Sequence, residues 1–409
     1  PPTLITEMEP SASLMQEEIF GPVLVSTTFR TPKEAIALAN NSRYGLAASI
    51  WTENINLALD IAPKIECGVV WINSVNQFDA AAGFGGRRES GFGREGGAEG
   101  LLAYVKPKSK TAELKKQKRY KRSTTKSNTL GSLDKTLKLY IGGKQVRPDS
   151  GYSKAVFGPK GFITHIGDGN RKDIRNAVEA AHKAGNWSKT SGHLKAQILY
   201  YLAENLDKRG SEFIENIILS TGVKKEVAQK EVETSISRLF YYAAWADKFD
   251  GAVHDVPIRG VTLAMNEPLG VVGVICPEEN PLLGLVSLAA PLIAMGNTCV
   301  LIPSASSPNI AANFYQVLDT SDVPAGVLNI ITGEEEAFVK TLSEHHDIAA
   351  IWYFGAGNNS GEIERFSTAS LKRTWVNNNK TRDWHCNGQG KEFLNNATDV
   401  KNIWIPYGE

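Results

Sequence analysis

The sequence predicts an α/β protein built around a doubly wound, Rossmann-like parallel sheet. Three observations predict it. From Val271 onward, short apolar runs alternate with helical periodicity: strand 271–276, helix 281–295, strand 298–302, helix 308–319, strand 327–332, helix 335–343, strand 349–354. Such alternation marks βαβ units and a parallel sheet. The stretch Thr298–Ile302 lies in a chargeless passage and reads as a buried strand after a buried helix. Residues 1–110 carry a separate strand–helix–strand pattern, set off from the rest by a basic stretch.

The elements follow in order. Residues 15–29 form a loop entering a strand. Lys33–Asn41 is a short amphipathic helix with Ala35, Ile36, Leu38 and Ala39 on its apolar side. Leu46–Thr52 reads as a strand, Ile55–Ile65 as a helix and Gly68–Asn73 as a buried strand. A glycine-rich loop, Gly83–Gly97, leads to a helix-to-strand exit at Val105. Lys106–Lys126 holds ten Lys/Arg and one acid without apolar periodicity, so residues 111–135 are assigned as a basic linker. A hairpin at Lys138–Val146 turns at Gly142-Gly143. Helices follow at 171–185, 191–208 and 210–243, then a β-type stretch at 249–267. The segment 377–409 is a divergent, Asn-rich tail ending in the apolar run Ile403–Tyr407.

A length of 409 residues suggests two or three domains. Hydrophobic residues at 42% support a sizeable core, and a net charge of +1 argues against a general affinity for nucleic acid. Cys67, Cys276, Cys299 and Cys386 are sparse and lack metal-type spacing, so the expectation is a reduced, cytoplasmic protein without a metal site. The chain opens Pro-Pro with no signal-peptide pattern, which reads as a fragment. Asn280–Leu318 carries no charge, but Pro291 and Gly296–Asn297 interrupt it. It is expected to be a buried helix and strand, not a membrane span.

The motifs of residues 1–110 resemble the C-terminal part of the catalytic domain of NAD(P)-dependent aldehyde dehydrogenases. They are Glu17-Glu18-Ile19-Phe20-Gly21-Pro22-Val23, Asn40-Asn41-Ser42-Arg43-Tyr44-Gly45-Leu46, Gly68-Val69-Val70-Trp71-Ile72-Asn73, and Phe84-Gly85-Gly86 with Ser90-Gly91-Phe92-Gly93-Arg94-Glu95. Residues 136–376 resemble the N-terminal, cofactor-binding part of the same family. The motifs there are Ala184–Ser188, Tyr241–Lys248, Glu267–Ile275 and Val323–Asn329. The resemblance implies a partial catalytic α/β domain followed by a Rossmann-like domain, with 249–267 as an oligomerisation β-hairpin. The order, an end before a beginning, is most similar to the tandem family 16 aldehyde dehydrogenases.

Aldehyde oxidation needs a thiolate, an amide donor for the oxyanion, a nicotinamide and a carboxylate base. By the resemblance, Glu279 stands where the oxyanion-binding Asn belongs, with Asn280 one residue late. Ile302 and Ala305 replace the residues that hold the adenosine ribose. Gly355 survives from the cofactor turn, with Gly361 one residue late. The base motif falls at Val376-Asn377-Asn378-Asn379, without a carboxylate. No nucleophile segment is matched; Cys386 is expected to be a surface cysteine in a disordered tail. In the first module, Glu18 matches the carboxylate that holds the nicotinamide ribose and Phe20 the aromatic beside the nicotinamide. Phe78 and Phe84 are candidates for the aldehyde pocket.

Two readings stay open. One is a non-catalytic scaffold that homo-oligomerises or binds a protein partner, with no cofactor bound to this chain. The other is part of an NAD(P)-dependent aldehyde dehydrogenase that is active only in a full-length protein. A third, RNA or lipid binding through the basic linker, rests on one charged segment alone.

Overall fold

The computed structural model describes residues 1–105, 112–113 and 135–407. The chain forms two compact units. One comprises Pro1–Pro107, Asp250–Glu267 and Asp399–Glu409; the other comprises Lys108–Phe249 and Pro268–Thr398. This division cuts across the boundaries expected from sequence. The hairpin and the end of the tail group with the first module, and the basic linker lies almost wholly outside the described residues.

The first unit is built on a five-stranded sheet. Its order is Ala252–His254, Gly260–Pro268, Thr398–Pro406, Val69–Ile72, Ala47–Ile50. Val69–Ile72 is buried along its length and pairs in parallel with both neighbours, Val69 lying opposite both Asn402 and Ala47. Alternation along the strands sends Val70, Ile72 and Ile403 to one core, with Ala58, Ala62 and Ile65. Val69, Trp71 and Trp404 go to the other, with Val256. The helix Pro32–Asn40 starts where the Thr31 side chain accepts the Glu34 N–H. Gly68 has to be glycine, because an added Cβ would stand 1.8 Å from the Gly85 carbonyl oxygen.

Polar residues in the C-terminal strand hide its character from sequence. The Lys401 side chain is 1% exposed and lies 2.6 Å from the Glu267 carboxylate, and it donates to the Pro63 carbonyl. Glu267 also pairs with Arg87 at 2.6 Å. Asn402 donates to the Gly83 carbonyl at 2.7 Å. With those partners a Lys-Asn pair becomes tolerable at the centre of a sheet.

The second unit holds a seven-stranded sheet. Its order is Arg373–Val376, Ala350–Tyr353, Val271–Ile275, Thr298–Ile302, Leu328–Ile330, Leu139–Ile141, Lys144–Val146. The first five strands are parallel; four were expected from the alternation, and Arg373–Val376 was not. The last two form the expected hairpin, with positive φ at both Gly142 and Gly143, the requirement of a type I′ turn. The helix Pro281–Ala294 is buried at every residue. It packs against Gly192–Lys208 and Lys225–Trp245. The uncharged stretch is therefore a core helix and strand, and among the described residues no helix is long and apolar enough to cross a membrane.

Two expectations are corrected here. The helix expected over 210–243 is two helices, Gly210–Thr221 and Lys225–Trp245. Gly222 ends the first in the left-handed conformation at φ 74°. The tail is folded: it forms Trp384–Asn387, Lys391–Asn396 and Thr398–Pro406. Trp384, Phe393 and Leu394 enter the main core. The buried Arg238 guanidinium anchors this segment by donating to the Ser287 hydroxyl (2.6 Å) and the Trp384 carbonyl (2.8 Å). Cys386 is exposed, but on a helical turn that the Asp383 side chain caps.

Candidate functional site

In the second unit the strand order locates the candidate site. From Val271–Ile275 the chain moves outward through Thr298–Ile302 and Leu328–Ile330, then crosses back to Ala350–Tyr353 on the other side. The reversal lies between Val271–Ile275 and Ala350–Tyr353, and open α/β sheets bind ligands outside the carboxyl ends of their strands at such a point. Residues 276–280, 303–307 and 354–359 follow these strands.

Acidic side chains fill this region. Glu278 reaches from the first of these loops to the second. Its carboxylate accepts the Ala305 N–H at 2.7 Å, the Ser306 N–H at 2.9 Å and the Ser304 hydroxyl at 2.7 Å. Glu279 is half-buried, and burial pushes its carboxyl up; its own amide and the Trp384 indole partly offset this. Asn280 sits at φ 50° and turns away toward His385, at 3.5 Å from Nε2.

Helix Pro281–Ala294 begins here, and its first amides need acceptors from outside the helix. Glu231 supplies one. This residue, 2% exposed on Lys225–Trp245, accepts the Leu282 and Leu283 N–H groups at 2.9 and 3.3 Å. Burial also raises its carboxyl, against the opposing effect of these hydrogen bonds.

Glu335 lies against the third loop. It accepts the Asn359 side-chain amide at 2.9 Å, and its carboxyl is 2.7 Å from the Tyr353 hydroxyl. That hydroxyl also approaches the Gly357 carbonyl at 2.5 Å. Tyr353 donates to Glu335 Oε1, which also takes the Asn359 amide, and burial raises the Glu335 carboxyl against these two hydrogen bonds.

The chain matches the aldehyde dehydrogenase family over residues 1–110 and 156–378. It belongs to the aldehyde dehydrogenase family. DhaS of Bacillus subtilis is 47% identical over 108 residues, which are 26% of this chain and 22% of that protein. An aldehyde dehydrogenase of Agaricus bisporus is 34% identical over 233 residues, 55% of this chain and 46% of the relative. The mouse cytosolic 10-formyltetrahydrofolate dehydrogenase is 30% identical over 235 residues, 55% of this chain and 26% of the relative. The chain thus spans less than half the length of these relatives. In fold it is similar to an NAD-dependent aldehyde dehydrogenase from Sinorhizobium meliloti, with a TM-score of 0.57 at 23% identity. That match covers 59% of this chain and 50% of the other.

The residues singled out in this aldehyde dehydrogenase family chain fall into separate groups. In the second unit, Ile302 is 1% exposed and packs in the core, while Ala305 offers only its backbone amide. Gly355 is buried and Gly361 has nothing within 4 Å of an added Cβ. Asn377 acts as a clamp: it donates to the Gly355 carbonyl at 2.8 Å and accepts from the Ser360 hydroxyl and the Asn379 N–H. In the first unit, Phe78 and Phe84 meet with ring centroids 4.6 Å apart, and both pack near Trp71. Glu18 is exposed, and Phe20 is 92% exposed with φ at 50°. Cys67, Cys276 and Cys299 are buried; burial pushes the Cys67 thiol up to about 11.

Sequence reasoning missed Glu231, Glu278 and Glu335. Glu278 was open to detection, since two consecutive acids interrupt an otherwise apolar passage. Glu335 sits in a run of three glutamates that looks like a solvated helix start. Glu231 gives no local signal, because its burial comes from a helix 51 residues away.

Proposed function

We infer that this chain is a non-catalytic member of the aldehyde dehydrogenase family and acts as a scaffold or oligomerisation module. Its arrangement is read as the C-terminal part of a tandem, family 16-like protein of the cytoplasm, with a protein or a second copy as partner. The observation that carries this reading is Glu279 beside the start of Pro281–Ala294. By motif, this position supplies the oxyanion donor. A carboxyl has no amide proton to donate, and when ionised it repels the charge it should stabilise.

Three further features support the reading. Asn377 stands at the base position with its side chain committed to Gly355 and Ser360. Ile302 is an apolar core residue where a ribose ligand is required. The three thiols at Cys67, Cys276 and Cys299 are buried and held in the unreactive, protonated form. The residues of the second unit therefore do not fit NAD(P).

A second reading is favoured by a separate observation. Similarity to DhaS reaches 47% over 108 residues, well above the 30–34% of the other relatives named above. Glu18, Phe20, Phe78 and Phe84 would then serve an active NAD(P)-dependent aldehyde dehydrogenase in a longer protein.

The test is NADH formation from a panel of aliphatic and aromatic aldehydes by this chain, and by Glu279→Asn. Neither should turn over aldehyde, since restoring the amide donor supplies no thiolate. Aldehyde-dependent NADH formation by either protein contradicts the non-catalytic reading.

A further inference from the structure

We propose that the ligand crevice of the second unit is closed to a dinucleotide by the chain's own acidic side chains, which occupy the amides and the glycine face that an anionic ligand would need. This rests on the non-catalytic reading above and deepens it: the site has been internally filled as well as stripped of ligands.

A phosphate-binding crevice in an open α/β sheet offers helix N-terminal amides, loop amides and a glycine face that lets a ligand approach the backbone. All three are present here, and each holds a glutamate. Glu231 takes the Leu282 and Leu283 amides. Glu278 takes the Ala305 and Ser306 amides and the Ser304 hydroxyl. Glu335 takes the glycine face: a Cβ added at Gly355 would stand 2.6 Å from its Oε2, and one added at Gly357 would stand 2.6 Å from its Oε1. The Glu335 carboxyl fills the space at Gly355 and shares the space at Gly357 with the Asn359 amide.

Ordinary helix capping does not account for the pattern. A capping side chain comes from the residues just before its helix. These acids arrive from elsewhere, with Glu231 and Glu278 reaching amides 51 and 27 residues along the chain. Among the described residues no Lys or Arg is paired with any of the three. Amides and hydroxyls balance them, which is how a protein holds a phosphate. The ligand class that fits once the acids are removed is a compact polyanion such as pyrophosphate, because the ribose-binding residues are gone.

The experiment is calorimetric titration of the full chain with inorganic pyrophosphate. The wild type should give no saturable heat at millimolar concentration. Glu278→Ala/Glu335→Ala should bind at least about tenfold more tightly than the wild type. Should the double variant fail to fold by circular dichroism, the isosteric Glu278→Gln decides. It should bind pyrophosphate about threefold more tightly than the wild type, because one negative charge has gone. Folded variants that bind no better than the wild type overturn the proposal while leaving the loss of catalysis intact. Aldehyde turnover by the wild type would overturn the functional reading by a separate measurement.

Discussion

The Glu278 carboxylate accepts the Ala305 N–H at 2.7 Å, and so bridges the loops that follow two adjacent parallel strands. In an open α/β sheet those loops ordinarily stand apart around a ligand. Here a side chain joins them, while Glu231 ties helix Lys225–Trp245 to the start of helix Pro281–Ala294 and Glu335 holds Tyr353 and Asn359. These contacts hold the fold together.

Glu231 therefore has a structural role that a substitution can expose. Glu231→Ala leaves the Leu282 and Leu283 amides inside the core with no acceptor, and should cost about 3 kcal/mol. Glu231→Gln keeps an acceptor oxygen and should cost under about 1 kcal/mol. Urea unfolding midpoints measure both; equal losses would argue that the acceptor role is unimportant.

Glu335 gives a pH dependence of known sign. Its folded pKa is raised above the unfolded value, first by burial. Its contribution to stability is thus fully present below the unfolded carboxylate pKa of roughly 4.3 and is lost as pH rises through the raised folded value. Glu335→Gln has no such titration. Melting curves from acid to neutral pH should show the variant gaining on the wild type as pH rises, by roughly 2 °C at neutrality. A constant difference across that range contradicts the assignment.

Lys401 tests the assembly of the first unit. Its ammonium is buried, 2.6 Å from Glu267 on the hairpin, and burial lowers its pKa against the pull of that carboxylate. Lys401→Met leaves Glu267 with Arg87 alone and should destabilise by about 3 kcal/mol. A loss below about 0.5 kcal/mol, in the range of ordinary surface substitutions, would show that the pair does not join these segments.

Thiol labelling offers an independent check of the core. Cys386 is exposed, whereas Cys67, Cys276 and Cys299 are buried. A thiol reagent should label one cysteine in the native chain and all four in denaturant. Rapid native labelling of Cys276 or Cys299 would mean that the parallel sheet is not packed as described.

Much of the second unit was legible because strong local signals agreed with the packing. The chargeless stretch Thr298–Ile302 reads as a covered strand, and Gly142-Gly143 specifies a tight hairpin. Other features were illegible for a physical reason. Lys401 and Asn402 read as polar tail because their partners, Glu267 and the Gly83 carbonyl, are supplied from distant sequence. Gly222 was read through, since a glycine inside a helical pattern stops the helix only if its φ turns positive. At the site, the motifs indicated which ligands are missing. They could not indicate what fills the gap, because Glu231 and Glu335 enter it through tertiary packing. Cys386 shows the same limit: a tail without local pattern is held by Arg238, Trp384 and Phe393.

The central claim is that the crevice of this aldehyde dehydrogenase family chain is closed to a dinucleotide by its own acids. Titration of the full chain with NAD+, followed by calorimetry, tests it most directly. The account predicts no saturable binding at millimolar NAD+. A one-to-one isotherm with micromolar affinity, weakened by substitutions at Gly355 or Ser304, would contradict it.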